Sequence, residues 1–243
     1  MKNEKIKDEF ISTLSHEIRT PLTSIKGFSK TMLDNWAVLD DTSKKKFLNI
    51  ILEQSDRLIN LVENVLNIAK INSDIDIILK EINLLNLINN VVDILKISYK
   101  DRKFNISSSK ILNSMADKDK LEQIFVNVIE NACKYSAQGT PVEIKIENRG
   151  DYNIVRIKNY GSYIKQEEKE KVFEKFYRID NYLTSSHQGS GLGLYIAKTL
   201  IEKMNGKIEI NSSNDPMFTE FLIYIPVLDS ETIAKKIGGE NYV

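Results

Sequence analysis

Three stretches of this sequence combine residue types that can handle phosphate. In "LSHEIRTPL", residues 14–22, His16 stands beside Glu17, with Thr20 one helical turn further on and Pro21 behind it. If this stretch is helical, Ile11, Leu14, Ile18, Leu22, Ile25 and Met32 recur every three or four residues as one apolar stripe, and His16 falls nearly opposite. An outward imidazole is largely uncharged at neutral pH and keeps a nitrogen lone pair, so His16 can act as a nucleophile. In "FVNVIENACKYS", Asn127 and Asn131 are four apart and share one face of an otherwise apolar helix. Buried amides need partners, and the oxygen of Asn131 suits a magnesium ion that shares phosphate oxygens. Lys134 and Tyr135 sit one turn further on, suited to a phosphate contact and to a ring packed beside it. In "HQGSGLGLYIAK", Gly189, Gly191 and Gly193 lead into a helix whose first amides can bind phosphate. Taken singly, each stretch has a plainer reading: a surface histidine, a helix with two polar residues, a glycine turn. The glycine run is neither a Walker loop nor a dinucleotide fingerprint, because no Lys-Ser or Lys-Thr follows and no strand leads directly into it.

The elements that must carry these residues follow from periodicity. Residues from about 5 to 34 read as one helix that tolerates Pro21 as a kink. After a loop around Asp40, Asp41 and Thr42, a second helix starts near Ser43. There Phe47, Ile51, Gln54, Leu58, Leu61, Val65 and Ile68 alternate four and three apart in a heptad seam. Two helices cannot bury so long a seam alone, so an antiparallel hairpin that pairs with a second copy into a four-helix bundle is expected. Beyond Asn72 the pattern changes. "IDIILKEINL" and "FNISSS" have strand character, with a helix from about Leu84 to Tyr99 between them. Asp117 caps a helix that runs to Ser136; "VEIKIEN" and "NIVRIKN" form a hairpin; a helix from Gly191 is closed by Gly206; "KIEINSS" and "TEFLIYIPV" make a last pair of strands. The fold class expected is α+β: a helical hairpin over residues 1–72, an α/β sandwich with one helix layer over 73–230, and a tail over 231–243.

Composition narrows the function classes. The 243 residues carry 34 basic and 34 acidic side chains, so no net field recruits nucleic acid or an anionic membrane. No run approaches the roughly 18 apolar residues of a membrane span, and the start lacks the apolar core of a signal peptide, so the chain reads as soluble. One cysteine, Cys133, makes no internal disulfide, and two histidines do not suit a zinc cluster.

Together the stretches resemble the catalytic core of a bacterial two-component sensor histidine kinase. "FISTLSHEIRTPLTSIKGF" is similar to that family's phospho-acceptor box, "LEQIFVNVIENACKYS" to its asparagine box, "VFEKFYR" to its phenylalanine box and "GSGLGLYIAK" to its last glycine box. The resemblance implies a dimerising phosphotransfer hairpin followed by a Bergerat-type ATP-binding domain. It implies that His16 takes the γ-phosphoryl group of ATP, that Glu17 is its base, and that Thr20 positions a water for dephosphorylating a partner. It implies further that Asn127, Asn131, Lys134 and Tyr135 bind phosphate and Mg2+, with Asn131 as the metal ligand. Arg178 is expected near the triphosphate, and Gly189, Gly191 and Gly193 border a lid from about Ile179 to Gln188. His187 is expected to be a lid residue with no chemical role, and Phe173 and Phe176 either anchor the lid's base or touch the ligand. The partners implied are a second copy of the chain and the receiver domain of a response regulator. Members usually carry sensor and membrane segments ahead of the hairpin, so a cytoplasmic chain is implied, tethered or not to the inner face of the membrane by a segment outside this sequence.

One box departs from the pattern. Where the family usually has Asp-x-Gly-x-Gly-Ile, this chain reads "NYGSYI": Asn159 replaces the aspartate that reads adenine, Gly161 is kept, and Tyr163 replaces the second glycine. A neutral amide accepts a hydrogen bond more weakly than a carboxylate, and tyrosine does not adopt glycine's positive φ. Weaker ATP binding or a rearranged loop is therefore expected. A degenerate kinase that serves as a scaffold or phosphatase stays open as an alternative. A gyrase-like ATPase is disfavoured, because Asn127 stands where those enzymes carry a glutamate.

Overall fold

The computed structural model describes residues 2–72, 76–108, 110–179 and 190–227, which excludes Gly189, His187, the lid beyond Ile179 and the tail. The chain divides into two compact units, Met1–Ser73 and Asp74–Val243.

The first unit is a pair of long helices, α1 (Lys2–Asn35) and α2 (Asp41–Asn72). Helix α2 starts two residues earlier than periodicity suggests, because Asp40 accepts a 2.7 Å hydrogen bond from the Ser43 amide and caps it. Within the unit the heptad seam faces α1: Gln54, Leu61 and Ile68 are buried, and the Phe28 and Phe47 rings meet with centroids 5.2 Å apart. The apolar stripe expected on α1 is only partly covered. Met32 is buried, whereas Ile11 and Leu22 are about half exposed at 49% and 47%. A single neighbouring helix cannot cover an arc that wide. Helix α2 carries a second row that the seam count missed, Leu48, Leu52, Ile59, Val62 and Leu66, all exposed in the single chain.

The second unit stacks three helices on a mixed sheet. In chain order it contains β1 (Lys80–Asn83), α3 (Leu84–Ser98), β2 (Phe104–Ser108), β3 (Asn113–Ala116), α4 (Lys118–Lys134), β4 (Val142–Arg149), β5 (Tyr152–Tyr160), α5 (Gly193–Lys203), β6 (Lys207–Asn214) and β7 (Met217–Pro226). Two single 3-10 turns at residues 166–168 and 171–173 precede α5. The main sheet has the order β2-β4-β5-β7-β6, antiparallel except for the β2–β4 pair, and β1 pairs with β3 in a separate ribbon. Among the described residues of the "IDIILKEINL" run only four form a strand, and β3 was not legible at all. Its partner β1 supplies the pairing, and NSMA carries no alternation of its own.

One sheet face is the core. Val142, Ile144, Ile146, Val155, Ile157, Phe221, Ile223 and Ile225 are buried, as are Leu121, Ile124, Phe125, Val128 and Ile129 of α4. Each such side chain contributes about 1.5–3 kcal/mol, so α4 is held as a rigid spine. Helix α5 ends differently from the expected glycine stop. Asn205 takes the positive φ of 57°, and the Gly206 amide donates to the Ile201 carbonyl at 2.9 Å. Glycine is needed there for space, since a Cβ would sit 2.3 Å from the Tyr224 carbonyl oxygen.

On the opposite sheet face, Arg156 forks onto both carboxylate oxygens of Glu220 at 2.9 Å and clamps β5 to β7. Burial works to push the Glu220 carboxyl up. Hydrogen bonds from Arg156 and Asn211, with the charges of Arg156 and Lys158, outweigh it and hold the group below the usual range. A depressed carboxyl contributes stability that is present above its unfolded value of about 4.3 and lost as pH falls through the lower folded value. Glu220→Gln is therefore expected to lower the thermal midpoint at pH 7 by several degrees. The gap from the parent should shrink below about pH 4, and an undiminished gap in acid contradicts this account.

Candidate functional site

Within the first unit, α1 runs unbroken through Pro21, whose ring nitrogen offers no hydrogen to the Glu17 carbonyl one turn back. The neighbouring turn is tied differently: the Thr20 hydroxyl donates to the His16 carbonyl at 3.1 Å, leaving its oxygen lone pairs as acceptors. His16 is exposed, as the stripe predicts. Glu17 is half-buried and reaches across to α2, where its Oε2 accepts a 3.0 Å hydrogen bond from Arg57 Nη2. Sequence reasoning missed this partner, because it lies 40 residues away with no local spacing to betray it.

Within the second unit, α4 and the start of α5 form the other set. Asn127 faces α5, where a Cβ on Gly193 would come within 3.1 Å of its Oδ1. Its Nδ2 is shut off from solvent and has no hydrogen-bond partner among the described residues. Interiors rarely leave a donor in that state, at about 1–3 kcal/mol each. Asn131 is half-buried one turn on. The Lys134 ammonium is held by Glu130 at 2.9 Å, so a phosphate contact from Lys134 would have to compete with that pair. Burial raises the Tyr135 hydroxyl, while the charge of Arg178 works the other way. Cys133 is buried, its thiol pushed up to about 12 by that burial, and it belongs to packing.

Side-chain hydrogen bonds hold the departing box. Asn159 lies near the end of β5, only 1% exposed, and its Nδ2 donates to the Tyr135 carbonyl and to Ser162 Oγ, both at 3.2 Å. A carbonyl only accepts, so the amide cannot be turned the other way, and Oδ1 is the atom left to meet a ligand. Ser162 is itself held, since its carbonyl accepts from Thr219 Oγ1 at 3.1 Å, and Thr219 pairs with Asn159 across β5 and β7. Gly161 takes φ 105°, and a Cβ there would lie 2.5 Å from that of Ala137. Tyr163 adopts no positive φ, so the rearranged loop expected from losing a second glycine is not required. Further on, Gly191 at φ 68° abuts the backbone of Phe176, itself at φ 62°. An aromatic residue held there stores about 1–3 kcal/mol of strain. Phe173 is buried as an anchor below it. Gly189 lies outside the described residues.

The residues present fit a nucleoside triphosphate. An orphan buried donor, the amide end of α5 and a fixed acceptor at Asn159 complement phosphate oxygens and an exocyclic amine. No group of three His, Cys, Asp or Glu able to hold a metal occurs among the described residues, so an ion would rest on amide and phosphate oxygens.

Comparisons with known proteins agree. The family described as His Kinase A (phospho-acceptor) domain matches residues 6–74, and that described as Histidine kinase-, DNA gyrase B-, and HSP90-like ATPase matches residues 116–229. The chain is 37% identical over 214 residues to the sensor protein kinase WalK of Staphylococcus aureus, covering 86% of this chain and 51% of that relative. For versions of WalK from several strains that share is 35%, so the chain spans between about a third and a half of the curated relatives it matches. Among solved structures, histidine kinase ThkA in complex with response regulator protein TrrA matches at 26% identity and TM-score 0.77, over 93% of this chain and 64% of that one. Full-length ShkA in complex with AMPPNP shares the fold, at TM-score 0.66 and 23% identity over 91% of this chain and 46% of that one.

Replacing the orphan donor by an apolar side chain of similar size separates stability from binding. Asn127→Leu is expected to raise the thermal midpoint of the ligand-free protein by an amount worth about 1 kcal/mol. The same change should abolish the stabilisation that nucleotide and magnesium give the parent. A lower midpoint in the variant, or an intact nucleotide shift, contradicts the assignment.

Proposed function

The chain belongs to the sensor histidine kinase family, and on that premise we propose that its two units carry the two halves of one reaction, ATP-dependent phosphorylation of His16. The observation that supports this most is the buried amide of Asn127, without a partner among the described residues and facing the start of α5, in a chain that also holds a histidine outward beside a carboxylate.

In this reading the lone-pair nitrogen of His16 attacks the γ-phosphorus. A P–N bond forms, the P–O bond to the β-phosphate breaks, and ADP leaves with that electron pair. Glu17 accepts the proton given up by the ring. Phosphoryl transfer asks the protein mainly for position and charge neutralisation. Asn127, Asn131 and the amides from Gly191 to Gly193 serve the phosphates, Arg178 offers a guanidinium, and Asn159 Oδ1 accepts from adenine. Mg2+, held by Asn131 and phosphate oxygens, would neutralise charge on the triphosphate. Glu17 must then work against its pairing with Arg57. Neither Asn159 nor Tyr163 takes a positive φ, which supports a loop that keeps its course at the departing box.

The partners follow from surfaces. The exposed row Leu48, Leu52, Ile59, Val62 and Leu66 on α2 repeats at heptad intervals, and a second copy of the hairpin would bury it in a four-helix bundle. ThkA was solved with a response regulator, and we assign the onward phosphoryl transfer to an aspartate of such a receiver domain. Thr20, on the turn after His16, would then orient a water that hydrolyses the phosphoaspartate of the receiver, releasing phosphate and the free carboxylate. No helix among the described residues is long and apolar enough to cross a membrane, and a reaction that consumes ATP fits the cytoplasm.

Incubation with γ-labelled ATP and magnesium tests the chemistry. Acid-labile, base-stable label on the parent, lost in His16→Gln, is the expected result. Free phosphate without bound label supports an ATPase instead, and no label with intact receiver binding supports a scaffold. For the assembly, Leu52→Glu with Ile59→Glu is expected to convert a dimer into a monomer in sedimentation, because two charges would enter an apolar interface. A dimer that survives both changes contradicts the surface.

A further inference from the structure

Arg102 precedes β2 and belongs to none of the motifs, yet its guanidinium makes the densest set of hydrogen bonds near the nucleotide residues. Nη1 donates to the carbonyls of Ala137 and Thr140 at 2.8 and 2.9 Å, and Nη2 donates to those of Cys133 and Ser136 at 3.2 and 3.3 Å. These four carbonyls belong to the last turn of α4 and to the loop that follows. A helix end leaves its final carbonyls without intrahelical partners and carries partial negative charge, so a planar cation with five donors suits it.

The loop so gathered supports the base-reading end of the site. The Ala137 amide donates to the Tyr160 carbonyl at 2.7 Å, and Ala137 fills the space that a side chain at Gly161 would need. Between the carbonyls that Arg102 holds lies that of Tyr135, which accepts from Asn159 Nδ2. The orientation of the Asn159 amide therefore depends on where the loop is held. With Nδ2 tied to Tyr135 and Ser162, only Oδ1 faces a ligand, and it pairs with the amino group of adenine but repels the carbonyl oxygen of guanine. An aspartate needs no such device, because both its oxygens accept; an amide does, because rotation would exchange acceptor for donor.

Resting on the reading above, we infer that Arg102 is a positioning residue for nucleobase selectivity: it fixes the loop after α4, which fixes the Asn159 amide in its adenine-accepting orientation. With Arg102 removed, the Tyr135 carbonyl drifts, the amide turns freely, and discrimination between ATP and GTP falls. A purely structural loss weakens both nucleotides alike and leaves their ratio unchanged.

Calorimetric titration of the full chain with ATP and with GTP, in magnesium, measures that ratio. The parent is expected to prefer ATP. Arg102→Met is expected to lose about tenfold in ATP affinity, as for one lost hydrogen bond to the base, while GTP affinity changes by less than about threefold. Arg102→Lys keeps a cation at the helix end without the fork; it should fold as the parent does and show a smaller shift in the same direction. For both variants the ATP concentration giving half-maximal labelling of His16 should rise, with the saturated rate retained. A parent that binds ATP but keeps its ratio in both variants, or one that never discriminates, overturns the inference alone. A parent that binds neither nucleotide overturns the reading it rests on as well.

Discussion

A buried donor, Asn127 Nδ2, that has no acceptor among the described residues is the constraint on which the account of the second unit turns. Asn127 sits on the helix whose other faces, through Leu121, Ile124, Phe125, Val128 and Ile129, hold α4 against the sheet. A buried donor left in that state costs about 1–3 kcal/mol, and an acceptor brought to it removes that cost. The close approach of Gly193 explains why glycine opens α5, since a bulkier residue would crowd the same amide. In the proposed reading the same helix serves as core and as site wall, which ties the position of the ligand to a helix buried against the sheet.

The first unit solves an opposite problem. Its helices are apolar on more than one face, yet the imidazole proposed to react stays in water. Placing His16 away from the α1–α2 seam and Glu17 toward it separates the imidazole and the carboxylate onto adjacent faces of one turn. Arg57 then holds the carboxylate from the other helix. Adjacent residues on a helix do not face each other, so the proposed pairing of Glu17 with His16 depends on side-chain reach rather than on backbone placement.

Much of this was legible in the sequence because periodicity and box spacing are local signals. The heptad seam of α2, the Asp117 cap, the β4–β5 hairpin and the run of glycines before α5 all appear within windows of one or two turns. What escaped was carried by contacts between distant segments. Arg102 reaches carbonyls 31 to 38 residues away, Arg57 finds Glu17 at 40, and Thr219 holds Ser162 at 57. A hydrogen bond to a backbone carbonyl puts no demand on the type of residue that owns it, and so leaves no trace in spacing. The partner of Asn159 was hidden for the same reason: the carbonyl that orients its amide belongs to another element.

A crystal structure of the full chain with magnesium and a non-hydrolysable ATP analogue tests the central claim most directly. The account expects phosphate oxygens within hydrogen-bond distance of Asn127 Nδ2 and of the amides that open α5, with the adenine amino group on Asn159 Oδ1. Nucleotide bound elsewhere, or bound here while Asn127 Nδ2 stays unpaired, would contradict it.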